Sequence, residues 1–273
     1  MNPTLEAFLI QAEAVMAGQA NDAVLESNRV QVGVDLGTAY TVIAVLDENQ
    51  QPIAGRYQFA QIVRDGLIVD FHGAITLLTE LKQQIENQLG FSLTTAATTY
   101  PPGVARAEVQ ATRHVLEAAG FICEHLIDEP TAANAVLQIE HGAVVDIGGG
   151  TTGIAIFKQG EVIYTADEPT GGTHFSLVVA GALDMPFEAA EIFKRETANH
   201  TQLFPLVRPV MEKVATIINR HVADYTVETL YLVGGSACFS GIAQVVSDVT
   251  GIETVIPSHP LFVTPFGVAM YDK

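Results

Sequence analysis

The chain has 273 residues and a formal net charge of −18, from 31 acidic and 13 basic residues. This acidic excess disfavours nucleic acid and anionic membranes as partners, because both carry negative charge themselves. A hydrophobic content of 48% with only 16% charged residues provides a substantial core, which disfavours disorder of the chain as a whole.

The sequence also indicates a compartment. No apolar run approaches the length of a membrane span, and the N-terminus lacks the basic-then-apolar order of a signal peptide. Cys123 and Cys238 are far apart and have no metal-ligand spacing. We therefore expect a cytoplasmic protein that does not bind membranes and whose two thiols are buried and reduced.

Residues 1–28 form a segment distinct from the rest of the chain. Apolar side chains between Leu5 and Met16 share one face of a predicted helix, and Gly18 comes after them as a stop signal. Two interpretations are open: a helix packed on the body or a loosely ordered tail, and an amphipathic helix that docks in a partner's groove. Residues 19–28 are predicted to be a linker.

A first lobe is predicted for residues 29–140. It opens with the hairpin VGVDLGTAYTVIAV at residues 32–45, in which Asp35, Gly37 and Thr38 stand between two apolar runs. A turn at Asp65-Gly66 comes next, and then an amphipathic helix that ends at Gly90.

Glu129 lies between a predicted strand at residues 123–127 and a predicted helix at residues 132–137, directly before Pro130. This position fixes its backbone and directs its carboxylate outward from the sheet, where it is a candidate to orient an attacking water. The alternative is a first-turn carboxylate that the helix dipole stabilises.

A second lobe is predicted for residues 141–257, and its hairpin is VVDIGGGTTGIAIF at residues 144–157. Successive glycines allow backbone N–H groups to approach a phosphate closely. The carboxylate of Asp146 would then reach a cation carried by that phosphate. The alternative is a glycine-rich turn without a ligand.

The two hairpins form an internal repeat. When Asp35 is placed on Asp146, the segments align without a gap as far as Ala44 on Ala155. The period is near half the chain, far longer than that of a solenoid. Duplicated lobes would each present a carboxylate, and one Mg²⁺-phosphate group would meet both.

Three further features of the second lobe suggest ligand binding. Gly171 and Gly172 open a predicted helix, a position that suits phosphate. Glu191 and Lys194 share a helical face, either as a surface ion pair or to hold ribose hydroxyls. The run Gly234-Gly235-Ser236 comes directly after a predicted strand, at the edge where open α/β sheets bind ligands.

Together these stretches resemble the Hsp70, actin and sugar-kinase ATPase superfamily. Residues 32–45 and 144–157 are similar to its two phosphate motifs, residues 230–241 to its adenosine motif, and residues 127–136 and 262–271 to its connecting helices. The resemblance implies an α/β, two-lobe fold of duplicated ribonuclease-H-like domains with a central nucleotide cleft. It also implies that residues 258–273 form a C-terminal helix that returns to the first lobe.

The same resemblance implies ATP and Mg²⁺ as cofactors and assigns roles to residues. Asp35 and Asp146 would bind Mg²⁺ through its water shell, and Glu129 would be associated with the attacking water. The remaining assignments are the first phosphate loop (Gly37, Thr38, Ala39, Tyr40), the second (Gly148, Gly149, Gly150, Thr151, Thr152), the Gly171-Gly172 pair, the ribose pair (Glu191, Lys194) and the adenine floor (Gly234, Gly235, Ser236).

Two departures from Hsp70 lower the expected rate of ATP hydrolysis. Gly153 stands where Hsp70 has an aspartate, and the insertion that carries the catalytic lysine of Hsp70 is not recognisable. We therefore expect a weak ATPase, or binding without turnover. The chain length also leaves no room for the peptide-binding domain and lid of Hsp70, so we expect any chaperone action to use another surface.

A narrower resemblance concerns VRDGLIVDF at residues 63–71 and ADEPTGGTH at residues 166–174. Both are similar to a family of Hsp70-like chaperones of bacterial ethanolamine utilisation. That resemblance implies a protein client, either ethanolamine ammonia-lyase or microcompartment shell proteins, and a cytoplasmic location associated with the microcompartment. Two alternatives stay open, an actin-like polymerising scaffold and a small-molecule kinase, and the sequence leaves the oligomeric state undefined.

Overall fold

A computed structural model of the chain describes residues 2–19, 29–64 and 67–273. The chain divides into two compact units. Unit 1 comprises Met1–Gln138 and Phe262–Lys273, and unit 2 comprises Ile139–Leu261. The predicted turn at Asp65-Gly66 and the predicted linker, apart from Gln19, lie outside the described residues.

The helices and strands of each unit are numbered in chain order. Unit 1 contains α1 (Pro3–Met16), β1 (Val30–Leu36), β2 (Tyr40–Asp47), β3 (Pro52–Phe59), β4 (Val63–Arg64), β5 (Leu67–Ile68), α2 (Phe71–Leu89), β6 (Ala97–Tyr100), α3 (Arg106–Ala118), β7 (Leu126–Asp128) and α4 (Glu129–Leu137). Unit 2 contains β8 (His141–Ile147), β9 (Thr152–Lys158), β10 (Glu161–Glu168), α5 (Gly172–Leu183), α6 (Phe187–Arg195), α7 (His200–Val222), β11 (Thr229–Val233), α8 (Ile242–Thr250) and β12 (Glu253–Val255). Helix α9 (Val263–Ala269) belongs to unit 1 again.

Each unit is built on a five-stranded sheet, and the two sheets have the same topology. The strand order is β3-β2-β1-β6-β7 in unit 1 and β10-β9-β8-β11-β12 in unit 2. In both, the first three strands are antiparallel and the last two run parallel to the third. The structure therefore confirms the predicted α/β fold and shows that the hairpin repeat is part of a duplicated sheet.

Helix α2 shows how the sequence specifies these elements. Its buried residues include Leu78, Leu81 and Ile85, which recur at helical spacing and face the core of unit 1. The side chain of Asp70 accepts a hydrogen bond from Gly73 N at 2.8 Å and caps the first turn. Gly90 ends the helix at φ 80°, as its sequence position predicts.

The buried face of α7 runs through Val207, Met211 and Val214. His221, on the same helix, makes polar contacts, with Tyr164 Oη 2.7 Å from its Nδ1. The burial of one thiol differs from expectation. The two cysteines are free thiols, but only Cys123 is buried and Cys238 is exposed.

The N-terminal helix α1 packs on unit 1. Leu9 and Ala12 are completely buried, and the ring of Phe8 meets Phe266 edge-on with centroids 5.8 Å apart. Gln11 Nε2 donates a hydrogen bond to the carbonyl of Pro52 at 2.7 Å. Of the two interpretations of this segment, the structure supports the packed helix.

The C-terminal segment is held against the central strand of unit 1 by close backbone contacts. A Cβ at Gly267 would lie 1.9 Å from the carbonyl oxygen of Ala132, so α9 meets α4 without space for a side chain. The Asp272 carboxylate accepts hydrogen bonds from Val32 N at 2.9 Å and Thr95 Oγ1 at 3.0 Å. None of the helices within the described ranges is both long and apolar enough to cross a membrane.

These contacts predict opposite effects for alanine at two helical glycines. Gly267→Ala introduces a methyl group into backbone that has no space for it, and we expect a loss of about 2 kcal/mol or more in the free energy of unfolding. Gly181→Ala in α5 is the matched control, because no atom lies within 4 Å of the added Cβ. Alanine is the better helix former, so thermal unfolding should show an unchanged or higher Tm for the control. Equal Tm values for the two variants would contradict the packing of α9.

Candidate functional site

The first hairpin turn, in unit 1, positions Asp35 near the end of β1. Asp35 Oδ1 accepts a hydrogen bond from Thr99 Oγ1 at 3.2 Å. The backbone N–H of Gly37 donates to the carbonyl of Tyr40 at 2.9 Å and closes the turn over Thr38 and Ala39. A Cβ at Gly37 would lie 2.9 Å from that carbonyl oxygen, so the turn requires glycine.

Glu129 lies at the same edge of this sheet as Asp35. Strands β1, β6 and β7 are parallel neighbours, so their carboxyl ends share one edge. Glu129 directly follows β7 and is the first residue of α4, which begins three residues earlier than the sequence suggested. The earlier start is explained by Asp128, whose Oδ1 accepts a hydrogen bond from Thr131 N at 3.0 Å and caps the helix.

The second hairpin turn, in unit 2, repeats the geometry of the first. The N–H of Gly148 donates to the carbonyl of Thr151 at 3.0 Å, the same bond that Gly37 makes in unit 1. Asp146 is buried beside this turn. A Cβ at Gly234 would lie 2.2 Å from Asp146 Oδ1, and Gly234 has φ 87°. Glycine therefore lets the backbone after β11 pass directly beside the carboxylate.

Three of the predicted glycine motifs meet in unit 2. The carbonyl of Gly148 accepts hydrogen bonds from Gly172 N at 2.9 Å and from the Ser236 hydroxyl at 2.7 Å. A Cβ at Gly172 would lie 2.3 Å from Ser236 Oγ, and one at Gly171 would lie 2.7 Å from the Gly148 carbonyl oxygen. The structure thus brings together the turn at residues 148–152 (called the second phosphate turn below), the Gly171-Gly172 pair and the segment Gly234-Gly235-Ser236.

The backbone at the start of α5, where the glycine pair lies, makes hydrogen bonds within the protein. The N–H groups of Gly172 and Thr173 donate to the carbonyls of Gly148 and Gly149, at 2.9 and 2.7 Å. Their observed role is to attach α5 to the second phosphate turn. Phosphate binding by Gly171 and Gly172 stays a prediction.

Glu191 and Lys194 form a buried pair beside these glycines. Lys194 Nζ lies 2.7 Å from Glu191 Oε2 and donates to the carbonyl of Gly172 at 3.0 Å. The two side chains are 6% and 12% exposed, so the pair is not a surface ion pair. The hydroxyl of Ser176 also donates to Glu191. Burial lowers the pKa of Lys194, although the Glu191 carboxylate opposes this shift.

Sequence reasoning gave no role to Asp167, although the structure places it beside this site. Asp167 on β10 is in register with Gly153 on β9, and Gly153 is in register with Asp146 on β8. Burial raises the pKa of Asp167 to about 7, and the negative charge of Asp146 contributes, while a hydrogen bond from Thr151 opposes the shift. The register of strands β8, β9 and β10 shows that Asp167 lies near Asp146. The stretch ADEPTGGTH by itself gives no indication of that register.

Within the part of the chain that the structure describes, no three His, Cys, Asp or Glu side chains are grouped as metal ligands. A closed cage of protein ligands is therefore not formed by those residues. Mg²⁺ characteristically retains several waters and uses one or two carboxylates together with substrate phosphates. The Asp146 carboxylate and the buried oxygen of Asp167 suit that type of coordination.

Comparison with known proteins identifies the family. The model of type IV pilus assembly protein PilM matches residues 104–264. Ethanolamine utilization protein EutJ of Salmonella typhimurium is 44% identical over 239 residues, which cover 87% of this chain and 84% of that protein. EutJ of Escherichia coli K12 is 40% identical over 261 residues, which cover 95% and 91%. The chain belongs to the EutJ family, within the wider family that the PilM model describes.

Solved structures agree with this assignment. The crystal structure of EutJ from Carboxydothermus hydrogenoformans superposes with a TM-score of 0.92 at 42% identity and covers 98% of each chain. Structures of MreB5 of Spiroplasma citri bound to ADP and to AMPPNP give TM-scores of 0.71 and 0.72 at 17% identity, and cover 89% and 90% of this chain and 96% of MreB5. This EutJ-family chain therefore has the actin-like ATPase fold that the sequence resemblance implied.

The position of Asp167 predicts a pH-dependent stability. Its folded pKa of about 7 lies above the ordinary value of 3.8, so protonation stabilises the folded state. This contribution is fully present below about pH 4 and is lost as the pH rises through 7. In EDTA, the Tm of Asp167→Asn relative to wild type should therefore increase between pH 5 and pH 8. The exposed Glu161→Gln on the same strand is the control. A Tm difference that is independent of pH would contradict the burial of the charge.

Proposed function

We propose that the chain is a nucleotide-dependent switch protein of bacterial ethanolamine utilisation, which binds ATP with Mg²⁺ and assists a protein client. The observation that carries the proposal is the meeting of three glycine-bearing segments at the Gly148 carbonyl, directly beside the buried Asp146. Backbone packed this closely leaves no space for a side chain at Gly171 or Gly234. Glycine-rich turns of this kind allow a phosphate to approach main-chain N–H groups.

The residues of unit 2 fit the Mg²⁺ ion that the fold family implies. Asp146 is a buried carboxylate, and Asp167 Oδ1 is a buried oxygen without a hydrogen-bond partner among the described residues. Carboxylate oxygens are the ligands that Mg²⁺ prefers, and a cation would satisfy the unpartnered oxygen of Asp167. When bound, Mg²⁺ neutralises charge on the phosphates. In unit 1, Asp35 is the counterpart of Asp146, and Thr99 holds its orientation.

Other residues of the chain have proposed roles in binding and turnover. Lys194 and Glu191, tied to the carbonyl of Gly172, hold the ribose hydroxyls, and Gly234, Gly235 and Ser236 form the floor under the adenine. Glu129 positions the attacking water at the carboxyl edge of the unit 1 sheet. Gly153 offers no carboxylate, which makes hydrolysis slow.

Equal phosphate release by wild type and Glu129→Ala would reject the role of Glu129.

Two lines support the proposed biological role. The EutJ relatives are named for ethanolamine utilization, and the family assignment extends over most of the chain. The MreB5 structures show that proteins with this fold bind ADP and AMPPNP. We propose that the client is ethanolamine ammonia-lyase or a microcompartment shell protein, and that the chain acts in the cytoplasm at the microcompartment. A switch of this kind requires a nucleotide that binds the client-competent state more tightly by a few kcal/mol.

Asp146→Ala removes the carboxylate beside the Gly148 turn, and we expect Mg-ATP affinity to fall at least a hundredfold in isothermal titration calorimetry. Loss of a charge-assisted interaction with the metal ion is the physical reason. The control is Asp224→Ala, which removes an exposed carboxylate from the same unit. Unchanged Mg-ATP affinity in Asp146→Ala would reject the assignment of the site.

The client is tested by affinity capture from cells grown on ethanolamine. Wild-type protein loaded with ATP should retain ethanolamine ammonia-lyase or a shell protein that the ADP-loaded protein releases, or the reverse. Asp146→Ala serves as the control, because it should capture the same amount in both conditions. Nucleotide-dependent filaments in microscopy would instead support a polymerising scaffold, and a phosphorylated metabolite would support a kinase.

A further inference from the structure

Gly153 lies at the centre of a row of three residues on neighbouring strands of unit 2, and it contributes no side chain to that row. Asp146, Gly153 and Asp167 lie opposite one another on β8, β9 and β10, and both strand pairs are antiparallel. Directly opposed residues of antiparallel strands project their side chains from the same face of the sheet. Because glycine has no side chain, the two carboxylates stand on one face with no side chain between them.

The duplicated unit shows that this gap is particular to unit 2. The equivalent row in unit 1 consists of Asp35 on β1, Val42 on β2 and Tyr57 on β3, in the same register. There a buried valine fills the central position, and an aromatic residue occupies the position of Asp167. Unit 2 thus differs from its duplicate at both positions, and the two differences together place a second carboxylate on the same face as Asp146, two strands away.

The environment of the Asp167 carboxylate favours the binding of a cation. Asp167 Oδ1 is buried and has no hydrogen-bond partner among the described residues. A buried oxygen without a donor costs free energy, and a second negative charge close by increases that cost. The hydroxyl of Thr151 also bonds to Asp167, so the carboxylate is attached to the second phosphate turn itself. A metal ion held at that turn would satisfy the orphaned oxygen and relieve the repulsion from Asp146.

We propose that Asp167 is the second carboxylate that unit 2 offers to the metal ion of a bound nucleotide, in the place that Gly153 leaves open. The carboxylate that Hsp70 carries on the equivalent of β9 is thereby supplied from the neighbouring strand β10. This inference rests on the proposed function, because it concerns the same nucleotide site. Gly153 by itself would leave unit 2 with the single carboxylate of Asp146 for the metal ion. With Asp167, unit 2 offers two carboxylates.

The test measures Mn²⁺ as a probe of the Mg²⁺ position. Electron paramagnetic resonance reports the affinity of Mn²⁺ for the protein–ADP complex, and calorimetry in EDTA reports ADP affinity without metal. Asp167→Asn should weaken Mn²⁺ binding by about tenfold to a hundredfold. Metal-free ADP affinity and Tm at pH 8 should not decrease. The exposed Glu161→Gln, on the same strand, is the control and should leave Mn²⁺ affinity unchanged.

A rescue variant separates metal binding from a structural role. Gly153→Asp combined with Asp167→Asn returns the carboxylate to β9, and Mn²⁺ affinity should recover to within a few-fold of wild type. Mn²⁺ affinity of Asp167→Asn equal to that of the control overturns the inference and leaves the proposed function intact. Failure of the wild type to bind ADP, with or without metal, rejects the proposed function and the inference with it.

Discussion

The hydrogen bonds that converge on the carbonyl of Gly148 are the interaction on which the candidate site depends. Gly172 N and the Ser236 hydroxyl donate to this one oxygen, from the start of α5 and from the segment after β11. The bonds hold three segments so close together that Gly171 and Gly234 have no space for a side chain. Asp146 lies against the segment after β11, Lys194 donates to the carbonyl of Gly172 at the start of α5, and Glu191 is bonded to Lys194.

Features encoded by local sequence could be predicted. The Asp35 and Asp146 hairpins follow from apolar runs around glycine turns, and α2 follows from its apolar periodicity, its Asp70 cap and its Gly90 stop. The superfamily and the duplicated fold followed from the order of these motifs. Such features depend on residues that are close in the chain, so the sequence pattern discloses them.

Features that depend on distant contacts could not be predicted. The neighbourhood of Asp146 and Asp167 depends on the register of three strands, and a shift of one residue would place Asp167 on the other face. The burial of the Glu191–Lys194 pair depends on its packing against Gly172, since the spacing alone fits a surface pair equally well.

The two copies of the sheet carry different residues beside the hairpin turn. Both sheets have the same strand order and the same turn hydrogen bond, through Gly37 and through Gly148. In unit 1 the positions in register with Asp35 on β2 and β3 carry Val42 and Tyr57, and the ring of Tyr57 packs against Tyr40 with centroids 5.6 Å apart. In unit 2 they carry glycine and carboxylate, which suit phosphate and a metal ion. One fold has thus been adapted differently in its two copies.

The most direct measurement is the anomalous diffraction of Mn²⁺ in crystals grown with ADP or a non-hydrolysable ATP analogue. We predict nucleotide phosphates at the Gly148 turn and a Mn²⁺ peak beside the carboxylates of Asp146 and Asp167. Nucleotide bound at this turn with Mn²⁺ remote from both carboxylates would contradict the metal assignment. Nucleotide bound away from the Gly148 turn would contradict the nucleotide site proposed in unit 2.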